Sequence, residues 1–72
     1  MKKLPRLSGR ELVKILPKMG FEVIRQRGGH MFLRHKDGRT TVIPNHEEID
    51  RGTLLEIIRQ IKLTRDEFIQ LL

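Results

Sequence analysis

Two adjacent glycines, Gly28 and Gly29, separate two runs of β-formers, "FEVIRQR" and "HMFLRH". No other feature restricts the fold of this chain as tightly. Residues that tolerate positive φ between extended runs close a β-hairpin, and a two-residue loop dictates which residues face each other. Arg27 then stands opposite His30, and Arg25 opposite Phe32. Side chains alternate with a period of two, so Arg25, Arg27, His30, Phe32 and Arg34 share one side of the hairpin, and Ile24, Met31 and Leu33 the other. A bulge would scramble this grouping, and Phe32 and Ile43 leave open which side meets the core.

The flanking segments supply the rest of a small fold. "LSGRELVKILPKMGF" predicts a first helix: Ser8 is the N-cap, Glu11 completes a capping box, and Leu12, Ile15, Leu16 and Met19 form one apolar stripe. Gly20 suits a left-handed stop, while Pro17 cannot donate to the Val13 carbonyl and distorts the last turn. "KDGR" is a second turn and "TTVI" a third strand, closed by Pro44. A second helix lies in "IDRGTLLEIIRQIKL", with Asp50 as cap and Leu54, Ile57, Ile58 and Ile61 on one face. Thr64 and Glu67 form another capping box before a short last helix, "RDEFIQLL". The order α-β-β-β-α-α belongs to the α+β class, a three-stranded antiparallel meander with helices packed on one face. Residues 1–72 read as a single domain.

Size decides where a site can be. A chain of 72 residues with 27 apolar ones builds one modest core and no internal cavity, since about 60% of the unfolded surface is buried at this length. A site therefore lies on the surface, at an element edge, or against a partner. With no cysteine, disulfides, zinc-finger spacings and thiol nucleophiles drop out, which fits a reducing cytoplasm. The opening "MKKLPRLSGREL" is basic, but Pro5 and Arg6 interrupt it. It is not read as a signal peptide, and no stretch has the length to span a bilayer.

Charge narrows the partner. The net charge is +6, divided as +8 over residues 1–39 and −2 over residues 40–72. A basic half on a near-neutral scaffold points to a polyanion; a merely soluble basic protein is the plain alternative. The chain has no Trp or Tyr and only three Phe, so base stacking on an aromatic platform is not expected to carry sequence selectivity.

The hairpin residues are suited to phosphate chemistry. Histidine takes and returns a proton near neutrality. Arginine grips a phosphate through two parallel hydrogen bonds and offsets charge growing on it. Glycines let an anion approach the backbone closely. Together they would serve cleavage of an RNA phosphodiester: a base draws the 2′-OH proton, cations stabilise the crowded phosphate, and an acid protonates the leaving oxygen. No metal and no cofactor is needed. The residues alone leave open a His30 that is only a polar strand residue and glycines that only make the turn. His35, an odd number of residues from His30, falls on the opposite face. His46 lies in the loop after the third strand, where it can approach the hairpin without being required to. Glu47, Glu48 and Asp50 read as a solvated loop and the acidic start of a helix. Ser8-Gly9-Arg10 offers amide groups beside a cation, a secondary phosphate contact. Nucleophile elbows, P-loops and dinucleotide fingerprints are absent from the sequence.

Taken together, "SGRELVKIL", "MGFEVIRQRGGH", "FLRHKDGRTTVIPNH" and "GTLLEIIRQIKLTRDEFIQLL" resemble the HicA-like (YcfA-type) toxins of bacterial and archaeal toxin–antitoxin pairs. The match runs from about Ser8 to Leu72, with several short motifs agreeing in order: Gly-Phe after helix one, the Arg-rich strand, Gly-x-His at the turn, Arg-His-x-Asp-Gly, Pro-x-His and the Gly-Thr-Leu helix start. The resemblance implies a double-stranded-RNA-binding-domain-like fold, cleavage of mRNA with arrest of translation, His30 as the catalytic histidine, and a HicB-like antitoxin that covers this surface. Candidate RNA and phosphate contacts are Gly28, Gly29, Arg25, Arg27, Arg34, Lys36, Arg39, Ser8 and Arg10. Gly29 stands where the family commonly has serine, and Pro17 departs from the family's pattern. A non-catalytic RNA-binding module with the same basic hairpin is the alternative, and a small domain docking an acidic protein a third.

Overall fold

The computed structural model describes residues 4–72; Lys2 and Lys3, counted above with the basic half, lie outside the described residues. Helix α1 (Gly9–Ile15) passes into a 3₁₀ turn (Leu16–Met19), followed by strands β1 (Phe21–Arg27), β2 (His30–His35) and β3 (Thr40–Pro44), then helices α2 (Arg51–Gln60) and α3 (Arg65–Gln70). The α+β order read from the sequence is the order observed. The sheet is antiparallel throughout and ordered β1-β2-β3.

Local chemistry sets the boundaries. Ser8 Oγ accepts from Glu11 N–H at 3.0 Å while the Glu11 carboxylate accepts from Ser8 N–H at 3.0 Å, so two otherwise unpaired donors are satisfied reciprocally. Pro17 converts the end of α1 to the 3₁₀ turn, which Gly20 closes at φ 96°. Thr64 and Glu67 repeat the capping box before α3, and Asp50 caps α2 through Thr53 N–H.

The core lies on one side of the sheet. Leu12 and Leu16 of the first helical segment, Leu54, Ile57, Ile58 and Ile61 of the second, and Phe68 of the last pack on Phe21, Met31, Leu33 and Ile43 from the strands. This settles the orientation the sequence left open: Met31, Leu33 and Ile43 point inward, whereas His30 and Arg34 are exposed and Phe32 is half-buried on the outer face. One expectation is corrected. Ile24 does not join Met31 and Leu33 but is 57% exposed. Pairing runs from Val23↔Leu33 directly to Arg25↔Phe32, so Ile24 is the extra residue of a bulge. Beyond Phe21 no residue of β1 is buried, so the strand extends past its helical cover.

Candidate nucleic-acid interface

Register arranges the outer face in rows. Arg27 is the Cα partner of His30, which on its other side partners Pro44; Arg25 partners Phe32, which partners Val42. Glu22, Arg34 and Thr40 form the next row. Direct cross-strand neighbours point to the same face. The sheet therefore groups Arg25, Arg27, His30, Phe32 and Arg34 as the hairpin register predicted, the bulge at Ile24 falling outside the group. The face carries three arginines and an imidazole, with Glu22 set opposite Arg34 at its far end.

The turn that holds His30 is open above. Gly28 has φ +58°, and a Cβ built on either Gly28 or Gly29 would meet nothing within 4 Å. Gly29 lies outside the left-handed region, so only Gly28 needs glycine's freedom. An anion can approach this backbone without obstruction.

Two distant segments close on the same end of the sheet. Asn45 N–H donates to the Gly29 carbonyl at 2.6 Å, and Gly9 N–H donates to the His46 carbonyl at 2.9 Å. Gly9 is pressed against Pro44 so closely that a Cβ there would lie 2.1 Å from the Pro44 oxygen. The start of α1, the loop after β3 and the hairpin turn are thus stitched together. Beside them lies a shallow depression lined by Ser8, Arg10, Asn45, His46 and Glu47.

Not every candidate belongs to this cluster. Ser8 is occupied as a cap and the Gly9 amide by His46, leaving the exposed Arg10 side chain as that segment's available cation. Lys36 is exposed but just past the other end of β2, about 20 Å from His30 at the rise of a strand. Arg39 is bound within the fold. Its guanidinium donates to Asp37 at 2.7 Å and to the Ile61 carbonyl, and sits 5.3 Å from the Phe21 ring centroid. These contacts hold the Asp37 carboxyl below its ordinary range, first through the Arg39 backbone N–H. His35 faces inward, away from His30: its Nε2 donates to the Met19 carbonyl at 2.9 Å, its Nδ1 accepts from Asp37 N–H at 3.1 Å, and its ring meets Phe21 edge-on.

Asp50 is held below its ordinary range first by the Thr53 hydroxyl it accepts, then by the Thr53 amide, and Glu48 pairs with Arg6 at 3.4 Å. Both roles are structural. Among the described residues no group of three His, Cys, Asp or Glu is arranged to hold a metal ion, and no helix is long and apolar enough to cross a membrane. Sequence reading offered the Gly9 amide as a phosphate contact, whereas that amide is spent on the His46 carbonyl. It missed the closure of the Asn45 amide on the hairpin turn, for which the position directly after the strand-closing Pro44 was the available signal.

Comparison with known proteins places the chain in a family. No curated protein matches the chain significantly. A family model described as the HicA toxin of bacterial toxin–antitoxin systems matches residues 9–63, a span that includes the hairpin, the loop after β3 and helix α2. The chain belongs to the HicA toxin family.

Proposed function

We propose that the chain, acting as one toxin domain, is a metal-independent endoribonuclease that cuts mRNA and so arrests translation in the cytoplasm, with His30 as general acid/base. One observation carries this reading: an exposed imidazole at the tip of a hairpin, cross-strand from Arg27 and beside unobstructed glycine backbone. Arg27, Arg25 and Arg34 hold successive phosphates of the strand, and the arginine nearest His30 offsets the charge that grows on the scissile one. His30 takes the 2′-OH proton; the freed oxygen attacks phosphorus, and the bond to the 5′ oxygen breaks as that oxygen receives a proton. Positioned proton transfer contributes about 10²–10⁴ in rate, so the enzyme is modest, yet each cut message ends many rounds of translation. The exposed basic face has the chemistry to receive a HicB-like antitoxin, which would silence the enzyme by covering it.

The test is purified chain with RNA in EDTA, wild type beside His30→Ala, with the new ends identified. Cleavage leaving 2′,3′-cyclic phosphate ends, abolished in the variant while RNA binding persists, is the expected result. RNA binding without cleavage by either protein makes the chain a binding module, and loss of activity in EDTA reveals a metal.

A further inference from the structure

We propose that His46 is the second proton-transfer group of the site, working with His30 across the scissile phosphate; the proposal rests on the ribonuclease reading above. A single imidazole must otherwise both remove the 2′-OH proton and supply one to the leaving oxygen, and these lie on opposite sides of the reacting phosphorus. A second titratable group at the same end of the sheet removes that difficulty.

The backbone brings His46 there by three independent attachments. Pro44 is the Cα partner of His30 on β3. The next residue, Asn45, donates its N–H to the Gly29 carbonyl at 2.6 Å, and His46 itself accepts from Gly9 N–H at 2.9 Å. Two residues beyond a cross-strand neighbour, the His46 Cα is within about 13 Å of the His30 Cα. Backbone positions separated by no more than this allow a phosphate to sit within reach of both imidazoles. The fold uses His46 through its carbonyl, and the residue is exposed, as His30 is.

The other groups are poorly suited. Arg27 is adjacent, but a guanidinium does not give up its proton. Lys36 is at the far end of β2, Arg39 is tied to Asp37 and Ile61, and His35 faces the helices. Of the three histidines, His46 is the one that shares this end with His30. Its setting also suits a nucleotide: it lines the depression with Ser8, Arg10, Asn45 and Glu47, where Arg10 can meet a second phosphate. The charged groups around the pair are Arg27 beside His30, and Arg10, Glu47 and the nearby Asp50 around His46.

The step balances with these groups alone. One imidazole accepts the 2′-OH proton as the bond from O2′ to phosphorus forms. The bond from phosphorus to O5′ breaks, and the other imidazolium delivers its proton to O5′. The products are a 2′,3′-cyclic phosphate and a free 5′-hydroxyl, with one proton moved between the two histidines.

The experiment is single-turnover cleavage of an RNA transcript by the full chain as a function of pH, comparing wild type, His30→Ala, His46→Ala and His46→Gln. Far-UV circular dichroism establishes folding of each, and RNA binding is measured alongside. Wild type should show a bell-shaped profile. His46→Ala and His46→Gln should fall by about 10²-fold or more with unchanged RNA binding, lose one limb of the bell, and His46→Ala should recover partly when imidazole is added to solution. His46 variants with wild-type rate and both limbs overturn the pair, as does a loss that keeps both limbs and resists added imidazole, because the side chain then only shapes the loop. If His30→Ala is inactive while the His46 variants are unaffected, the pair fails and the ribonuclease reading stands. If His30→Ala cleaves like wild type, that reading fails first.

Discussion

Replacing Gly9 with alanine isolates the attachment on which the site's geometry depends. A Cβ at this position lies 2.1 Å from the Pro44 oxygen, 3.1 Å from its carbonyl carbon and 3.2 Å from the Asn45 Cα. All three are backbone atoms, so no side chain can swing aside. Bringing the first contact out to about 3.4 Å, where ordinary packing begins, means separating α1 from the loop by about 1.3 Å. The Gly9 N–H to His46 carbonyl bond, at 2.9 Å, does not survive a shift of that size. Overpacking of this kind costs about 1–3 kcal/mol and the lost hydrogen bond about 0.5–1.5 kcal/mol. Up to about 1 kcal/mol returns because alanine is the better helix residue. The net loss spans about 0.5–4.5 kcal/mol; its midpoint, about 2.5 kcal/mol, lowers Tm by roughly 10–20 °C for a domain of this size. With no Trp or Tyr in the chain, melting is followed by far-UV circular dichroism rather than intrinsic fluorescence. Gly29→Ala is the control: with open space around it and φ outside the left-handed region, it should be neutral or raise stability by about 0.4–1 kcal/mol. At a temperature where both variants are folded, Gly9→Ala should also cleave RNA more slowly, because Asn45 and His46 move off the turn. A Gly9→Ala protein melting within about 2 °C of wild type, against the 4–8 °C expected per kcal/mol, would refute the close-approach argument.

Further outcomes separate binding from structure. Arg39→Ala, which loses contacts to Asp37, Ile61 and Phe21, should lower stability by about 1–3 kcal/mol and leave the salt dependence of RNA binding unchanged; a reduced slope would return Arg39 to the phosphate contacts. Arg25→Ala, Arg27→Ala and Arg34→Ala should each leave the melt nearly unchanged and reduce the salt slope of binding by about 0.7, the value for one single-strand phosphate contact, as read from binding titrations at several salt concentrations. Asp37, Asp50 and the capping Glu67 are held below their ordinary range, as is Glu56, which accepts from the Arg59 guanidinium at 3.0 Å. Groups with depressed folded-state pKa contribute stability above their unfolded values and lose it as pH falls through the folded ones. Urea midpoints should thus hold steady near neutrality and drop below about pH 4.

Elements whose cause is local were legible in the sequence. The capping boxes at Ser8 and Thr64, the Pro17 distortion, the Gly-Gly turn and the Arg27–His30 pairing each follow from residues within a few positions of one another. What was illegible depends on contacts across the chain. Ile24 alternates correctly for a core position, but nothing local signals that β1 outruns its helical cover. Arg39 looks like any exposed cation beside a turn until Phe21 and Ile61 are brought over it. Gly9 reads as a helix start, and only the approach of Pro44 shows why no larger residue fits. The approach of His46 to the hairpin, which the sequence left open, rests on a similar convergence of residues 9, 29 and 45–46.

The bare outer face of the sheet has a consequence for handling the protein. Val23, Ile24 and Val42 are exposed there or along the rim, and in the order β1-β2-β3 both outer strands are edges. Exposed edges invite strand addition by another copy, which charge and bulges discourage. Arg25 and Arg27 on β1, with the kink at Ile24, act as such gatekeepers. Neutralising those arginines should therefore make the protein stickier, and its solubility at high concentration becomes a second measure of what the charges do.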